Sequence, residues 1–288
     1  MTSNKQFFYV FKLFIFASII ASLVTACNNL EQTITPDLNQ ASPRYVIEGL
    51  VTNAATTQQV TVSRSTGYYN SGATEKISNA SVVIEDDAGN IFTFEESEDT
   101  PGRYTANFTG EIGRTYSLLV NIEGELFEAS ESMLPITTID SLTWEIDEEE
   151  RQELEEDNDD SGEYYDVFLF TREPPETEDY YLFKFYTNGV IENDDAQEVY
   201  FSDDAVIGES IDGLEIGFFY ALEDSVTVEM YSITRNAFLF FSDLQTLLNN
   251  DGGVFGPIPA NLRNNISNGA LGYFQVSAID RESIVIGK

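Results

Sequence analysis

Thr115-Tyr116-Ser117-Leu118-Leu119-Val120-Asn121-Ile122 is the stretch that decides the fold class of this chain. Tyr116, Leu118, Val120 and Ile122 alternate with Thr115, Ser117, Leu119 and Asn121, a period of two that sends one face of a strand into a core. Similar short apolar runs surround it: Tyr45–Val51, Val60–Ser63, Ser81–Glu85, Ile91–Phe94, Tyr104–Phe108 and Leu126–Ser130. Turn residues separate them, at Asp87-Ala88-Gly89-Asn90, Pro101-Gly102 and Glu123-Gly124. Seven short strands within about ninety residues predict a small β-sandwich domain over residues 44–135.

Beyond Pro135 the pattern weakens. Pro135 to Leu142 reads as a connector, and Glu145 to Glu163 holds twelve acids against one Arg. Such a block cannot form a core, so residues 136–165 read as a connector carrying a solvated acidic loop. Residues 166–288 are β-rich again. Asp166–Arg172 and Tyr180–Tyr186 are strand-like, and Thr187-Asn188-Gly189-Val190 is a hairpin signal. Phe218–Leu222 and Val226–Ile233 read as another pair. The period then changes: Phe238, Phe241, Leu244 and Leu248 share one helical face, which predicts an amphipathic helix near 235–249 capped by Thr234. Leu271–Ala278 and Ile284–Ile286 close the chain as strands. The expected class is all-β in the main, a sandwich followed by a second β-rich domain with one helix.

The N-terminus carries an address. Lys5 and Lys12 precede the apolar run Leu13–Val24, and Val24-Thr25-Ala26-Cys27 follows. A cationic start, an apolar stretch and a small residue before the cut describe a secretory signal peptide over residues 1–26. The run is shorter than the ~20 apolar residues of a spanning helix. Cys27 is the only Cys and stands at the lipobox position, so it is the expected lipid attachment point of an extracytoplasmic lipoprotein, with residues 27–43 as a polar tether. Asn28, at the second mature position, is not the Asp associated with inner-membrane retention. The outer membrane is therefore the expected location, with the cell surface and the periplasmic face both open.

Composition narrows the function. Acylation of Cys27 consumes the chain's one thiol, and the sequence contains no His. Disulfides, thiolate catalysis, the Ser-His-Asp triad and almost all catalytic zinc sites are thereby excluded. The chain has 14 Lys+Arg against 50 Asp+Glu, a net charge of −36. Removing residues 1–26 takes away two lysines and no acid, leaving 12 cations against 50 acids, a net of −38. Such a surface repels nucleic acid and anionic headgroups and suits basic or divalent partners.

Several segments, taken in order, carry a family resemblance. They are Tyr45-Val46-Ile47-Glu48-Gly49, Ala80-Ser81-Val82-Val83-Ile84, Gly102-Arg103-Tyr104, Gly113-Arg114-Thr115-Tyr116, Ile139-Asp140-Ser141-Leu142, and Asn265-Ile266-Ser267-Asn268-Gly269-Ala270-Leu271-Gly272-Tyr273-Phe274. Together they resemble the Bacteroidota outer-membrane lipoproteins catalogued as domain of unknown function 4249. The resemblance implies an N-terminal sandwich similar to transthyretin-like or carboxypeptidase-regulatory-like domains. It also implies a partner, because members are commonly encoded beside TonB-dependent receptors. It carries over no catalytic residue.

Candidate binding residues are few. Asp157, Asp159, Ser161 and Glu163 follow the opening of a calcium loop, but Phe168 stands at the twelfth position, where a bidentate Glu belongs. A solvated charge run is the default there, and calcium is the one candidate cofactor. Tyr68 and Tyr69, in a Gly67–Gly72 context, suit an exposed binding loop, with core packing as the alternative. Asp194-Asp195 and Asp203-Asp204 are carboxylate pairs that loop solvation also explains. Asp140-Ser141-Leu142 and Asp224-Ser225-Val226 match a short O-glycosylation pattern, for which turns or strand starts serve equally. The expectation is a non-enzymatic, lipid-anchored binding or accessory protein for a TonB-dependent nutrient transporter. The alternative is a surface glycan-binding or adhesive lipoprotein, calcium-assisted. A carboxylate-based hydrolase is third.

Overall fold

Strand alternation and one helical period translate into seventeen strands and one helix among the described residues of a computed structural model. The described residues are 42–66, 74–148, 151, 164–172, 177–194, 198–203, 210–249 and 262–287. Residues Ser42–Lys288 form one compact unit. The first eight strands are β1 (Tyr45–Thr52), β2 (Thr57–Arg64), β3 (Glu75–Lys76), β4 (Ser81–Asp86), β5 (Ile91–Glu96), β6 (Arg103–Asn107), β7 (Thr115–Ile122) and β8 (Glu125–Ser132). Then come β9 (Ile139–Ile146), β10 (Tyr165–Arg172), β11 (Tyr180–Thr187), β12 (Val190–Ile191), β13 (Tyr200–Asp203), β14 (Ser210–Tyr220) and β15 (Ser225–Ser232). Helix α1 (Arg235–Leu248) precedes β16 (Leu271–Ser277) and β17 (Ile279–Val285). The protein is mainly β, as expected.

The first sheet runs β16-β1-β2-β6-β5-β4-β7-β8, with β3 beside β2. In β7 the quoted stretch buries Tyr116, Leu118, Val120 and Ile122, as its alternation requires. The sheet doubles over where β5 and β6 share only two residue pairs, Glu95 with Thr105 and Glu96 with Tyr104. Ile47, Val60 and Val62 from one layer then share a core with Val82, Leu118 and Phe127 from the other. Tyr104 is fully buried, yet its hydroxyl donates to Ile77 O at 2.8 Å and accepts from Ala80 N at 2.9 Å. That satisfies the one polar atom such a ring brings inside.

Leu271–Ser277, grouped by chain order with the second half, belongs to this first sheet, where β16 lies parallel to β1 from Val46–Leu271 to Thr52–Ser277. The segment before it is a clamp. Asn265 bonds both polar groups of the Phe274 backbone, at 2.8 and 2.9 Å. Ser267 exchanges two bonds with the Glu128 backbone, and Asn268 reaches Leu126 O. Gly272 has φ 103°, and a Cβ there would lie 2.0 Å from Ile47 O. The last of the segments that carry the family resemblance is thus architectural: it seats β16 against β1 and ties it to β8.

Three further strands form the sheet β14-β10-β9, and the others the sheet β12-β11-β15-β17 with β13 also on β11. Their facing residues, among them Leu142, Val167, Leu169, Phe183, Val226, Val228 and Met230, make a second core. The supposed connector is half strand. From Ile139 onward it pairs with β10, in a register that runs to Ile146 opposite Tyr165. The anticipated pairing of Phe218–Leu222 with Val226–Ile233 does not occur. β14 pairs with β10, and β15 pairs with β11 and β17, so the turn between them crosses from one sheet to the other. The helix is where the period placed it, with the Thr234 hydroxyl accepting from Ala237 N at 3.3 Å. It covers the outer face of β11, and so both adjacent tyrosines there are buried. Tyr181 faces the sandwich and Tyr180 the helix, whereas periodicity alone buries one of each such pair. No helix among the described residues is long and apolar enough to cross a membrane, which says nothing of β-barrels.

Candidate functional site

Helix α1 separates two clefts. One, of about 530 Å³, lies over the outer face of β1, β2 and β16 beneath Phe240 and Phe241. Polar side chains such as Glu48, Gln59, Thr61 and Gln275 share its lining. The other, of about 480 Å³, lies along β13 and reaches from α1 to β14. Its lining is dominated by rings and is the stronger binding candidate, since ligand sites are concave and mostly apolar with a few placed polar groups.

The rings of the second cleft are organised by strand geometry. Neighbouring residues of β13 point to opposite faces. Tyr200 therefore turns toward the sandwich, 5.3 Å from Phe185 and 5.9 Å from Phe218, which are themselves 5.6 Å apart. Phe201 turns toward the helix, 5.3 Å from Phe238 and 6.3 Å from Phe241. Phe241 and Phe240 then lead at 5.3 Å to Tyr273, a further 4.8 Å on. Aromatic packing thus runs without a break between the two clefts. Tyr200 and Leu214 remain 40% and 46% exposed, a large share for apolar groups beside a core.

Polar chemistry at this cleft is sparse and acidic. Asp203 and Glu215 stand on opposite walls, Ser202 and Gln245 supply uncharged groups, and no lining residue among the described ones is Lys or Arg. The Tyr220 hydroxyl is fully buried without a hydrogen-bond partner among the described residues. Burial, then the charge of Glu192 and the presence of Tyr200, hold its pKa above the usual phenol range, so it stays a proton donor.

Two other ionisable groups, Asp166 and Glu229, line neither cleft. Asp166, on the outer face of β10, is pushed up to about 6 by burial and then by Asp147, Glu215 and Glu145. Glu229 is buried at 4% exposure; Tyr186 and Tyr231 donate to it at 2.8 and 2.7 Å, and Arg281 pairs with it. That is a satisfied structural knot.

Cys27, Tyr68, Tyr69 and the calcium-loop residues Asp157, Asp159, Ser161 and Glu163 all lie outside the described residues, as do Asp195 and Asp204 of the carboxylate pairs. No group of three His, Cys, Asp or Glu placed for a metal ion occurs among the described residues. Asp224 is a turn residue, accepting from Ala221 N and Asn188 Nδ2 at 2.8 Å each. The cleft was missed in the sequence because its rings come from four elements. The one available signal was the density of Phe and Tyr between 180 and 241.

No curated protein matches the sequence. A solved DUF4785 family protein from Legionella pneumophila is similar to 65% of the chain at 9% identity, with a TM-score of 0.23. The match spans about half (52%) of that protein's length. The pattern of a single family, described as "Domain of unknown function (DUF4249)", runs through residues 31–283 and ends within β17. The chain is a member of the DUF4249 family.

Proposed function

We propose that this protein is a lipid-anchored, non-enzymatic binding protein of the outer membrane that serves a TonB-dependent nutrient transporter, with the aromatic cleft at β13 as its ligand site. The observation that carries the binding role is the cleft itself: about 480 Å³, open, ring-lined, with few polar groups. The lipobox at Cys27 supports the anchor. The transporter role rests on family resemblance.

Isolation of the full-length protein from native membranes in mild detergent tests the transporter role. A stoichiometric TonB-dependent receptor is expected, and recovery without any receptor overturns that part. Cys27→Ser is expected to move the protein from the membrane to the soluble fraction; retention in the membrane would sink the anchor.

A second reading, a glycan-binding lipoprotein, is favoured by the solvent-reaching rings of Tyr200 and Phe219, the latter 70% exposed. Titration with soluble oligosaccharides decides it.

A further inference from the structure

Two neighbouring glutamines divide the work of β2, because successive side chains of a strand point to opposite faces. Gln58 turns inward and is buried. Its carbonyl accepts from Thr52 N at 3.0 Å, and its amide donates to Thr52 O and Ala55 O at 2.9 Å and to Phe108 O at 2.8 Å. Gln59 turns outward, into the cleft beneath α1. Strand register sets its neighbours in two rows. Leu50 stands between Gln59 and Gln275, and Glu48 between Thr61 and Tyr273. Neighbouring strands lie about 4.8 Å apart, and alternate residues of one strand about 7 Å. That grid of amides, a hydroxyl and a carboxylate matches the span of a hydroxyl-bearing ring. Thr61 donates to one Glu48 oxygen at 3.1 Å, which fixes the carboxylate on the floor of the cleft.

The roof is aromatic. Phe240 and Phe241 of α1 are half-buried and lie 5.3 Å apart at 71° to each other. Phe240 rests 4.8 Å from Tyr273, whose hydroxyl donates to the buried Glu131 at 2.8 Å, so this ring is held from behind. Rings above and polar groups below suit a ligand that is apolar on its faces and hydroxylated around its rim. A sugar ring is built in that way: its C–H face packs on an aromatic ring, and its hydroxyls donate and accept. Amides do both in return, and a carboxylate accepts from two hydroxyls. Charge narrows the class. Among the described residues the lining holds Glu48 and no Lys or Arg, in a chain of net charge −36, so an anionic ligand is repelled. At about 530 Å³ the cleft falls within the range of small-ligand sites, about 300–1,000 Å³.

We infer that the cleft beneath α1 is a site for a neutral oligosaccharide. This goes beyond both readings above, which place the ligand at β13 or on Tyr200 and Phe219.

Calorimetry on the full-length lipoprotein in a sugar-free detergent tests it. The probes are cellotriose, maltotriose, mannotriose and xylotriose, with trigalacturonate as the anionic control. At least one neutral trisaccharide is expected to bind, and trigalacturonate at least about tenfold more weakly than the best of them. Glu48→Ala with Gln59→Ala is expected to weaken that sugar by about tenfold with an unchanged thermal melt, since Glu48 is exposed and Gln59 half-buried. Gln275→Ala alone is expected to act in the same direction, and serves if the double variant melts early. No heat from any neutral trisaccharide overturns the inference, as does equal binding of trigalacturonate. Full binding by a stable double variant, or by Gln275→Ala should the double variant melt early, also overturns it. If Tyr200→Ala abolishes binding that the double variant keeps, the sugar belongs to the second reading above and this site falls. Each of these failures leaves receptor co-purification, the test of the transporter role, untouched.

Discussion

In the first sandwich, edge strand β8 donates from Glu128 N to Ser267 Oγ and accepts from Asn268 at Leu126 O, and β1 is covered by the parallel strand β16. In the second, β13 lies against β11 and β14 against β10, and the two strands line an apolar cleft together with α1. One half of the molecule thus invests its late sequence in packing against its first strand, and the other keeps a concave apolar lining between two strands and a helix. Tight backbone packing suits a scaffold, and a concave apolar lining suits recognition.

The sharpest way to break this contrast is at Gly272. Gly272→Val adds a Cβ against Ile47 O at a φ that disfavours side chains. The expected loss is about 3 kcal/mol or more, read from the midpoint of a urea melt. An unchanged midpoint would mean that β16 does not need to lie where it does. Asn265→Ala should cost about 2 kcal/mol in the same assay, since two bonds to the Phe274 backbone go and Phe274 stays buried.

Asp166 sharpens the comparison from the other half. Its folded-state pKa, about 6, lies above the ordinary carboxylate value of 3.8. The fold therefore binds more protons than the unfolded chain between these values. The associated stability is complete below the lower value and is lost as pH rises through the upper one. Solvent screens part of the effect, so Asp166→Asn should stabilise the protein by about 1 kcal/mol near pH 7 and by nothing near pH 3. A gain independent of pH would remove ionisation as its cause. The smallest expected effect is at the open cleft. Leu214→Ala, at a position already 46% exposed, should change stability by less than about 0.5 kcal/mol. A loss as large as that at Asn265 would mean that the cleft is a core rather than a site.

Local pattern revealed much of this fold, and its failures share a cause. β7 and α1 were legible because each exposes one face and buries the other, the condition under which periodicity speaks. Ile139 to Leu142 read as a connector because Asp140 and Ser141 interrupt the run and only pairing with β10 makes it a strand. β14 begins at Ser210, eight residues before its readable part, because Gly213 at φ 82° and the shift between Leu169 and Phe170 break its alternation. β13 was not read at all, since four residues bounded by polar segments carry no period. The parallel contact of β16 with β1, and the meeting of rings from β11, β13, β14 and α1, are long-range facts that no local window contains. The candidate residues chosen by composition, Tyr68, Tyr69 and the Asp157 loop, were conspicuous for being locally unusual. The cleft is assembled from residues unremarkable one by one.

The pairing of Val46 with Leu271 also sets a timetable. A chain is synthesised from its N-terminus, so β1 exists long before the strand that will flank it. Until Leu271–Ser277 has emerged, β1 presents a bare flank, and Phe274, buried in the first core, is missing from it. Pairing across most of the chain is slow because loop closure precedes its reward. The layer that emerges first is therefore the last to be finished, and a chain ending short of Leu271 lacks both β16 and the Phe274 ring of its first core.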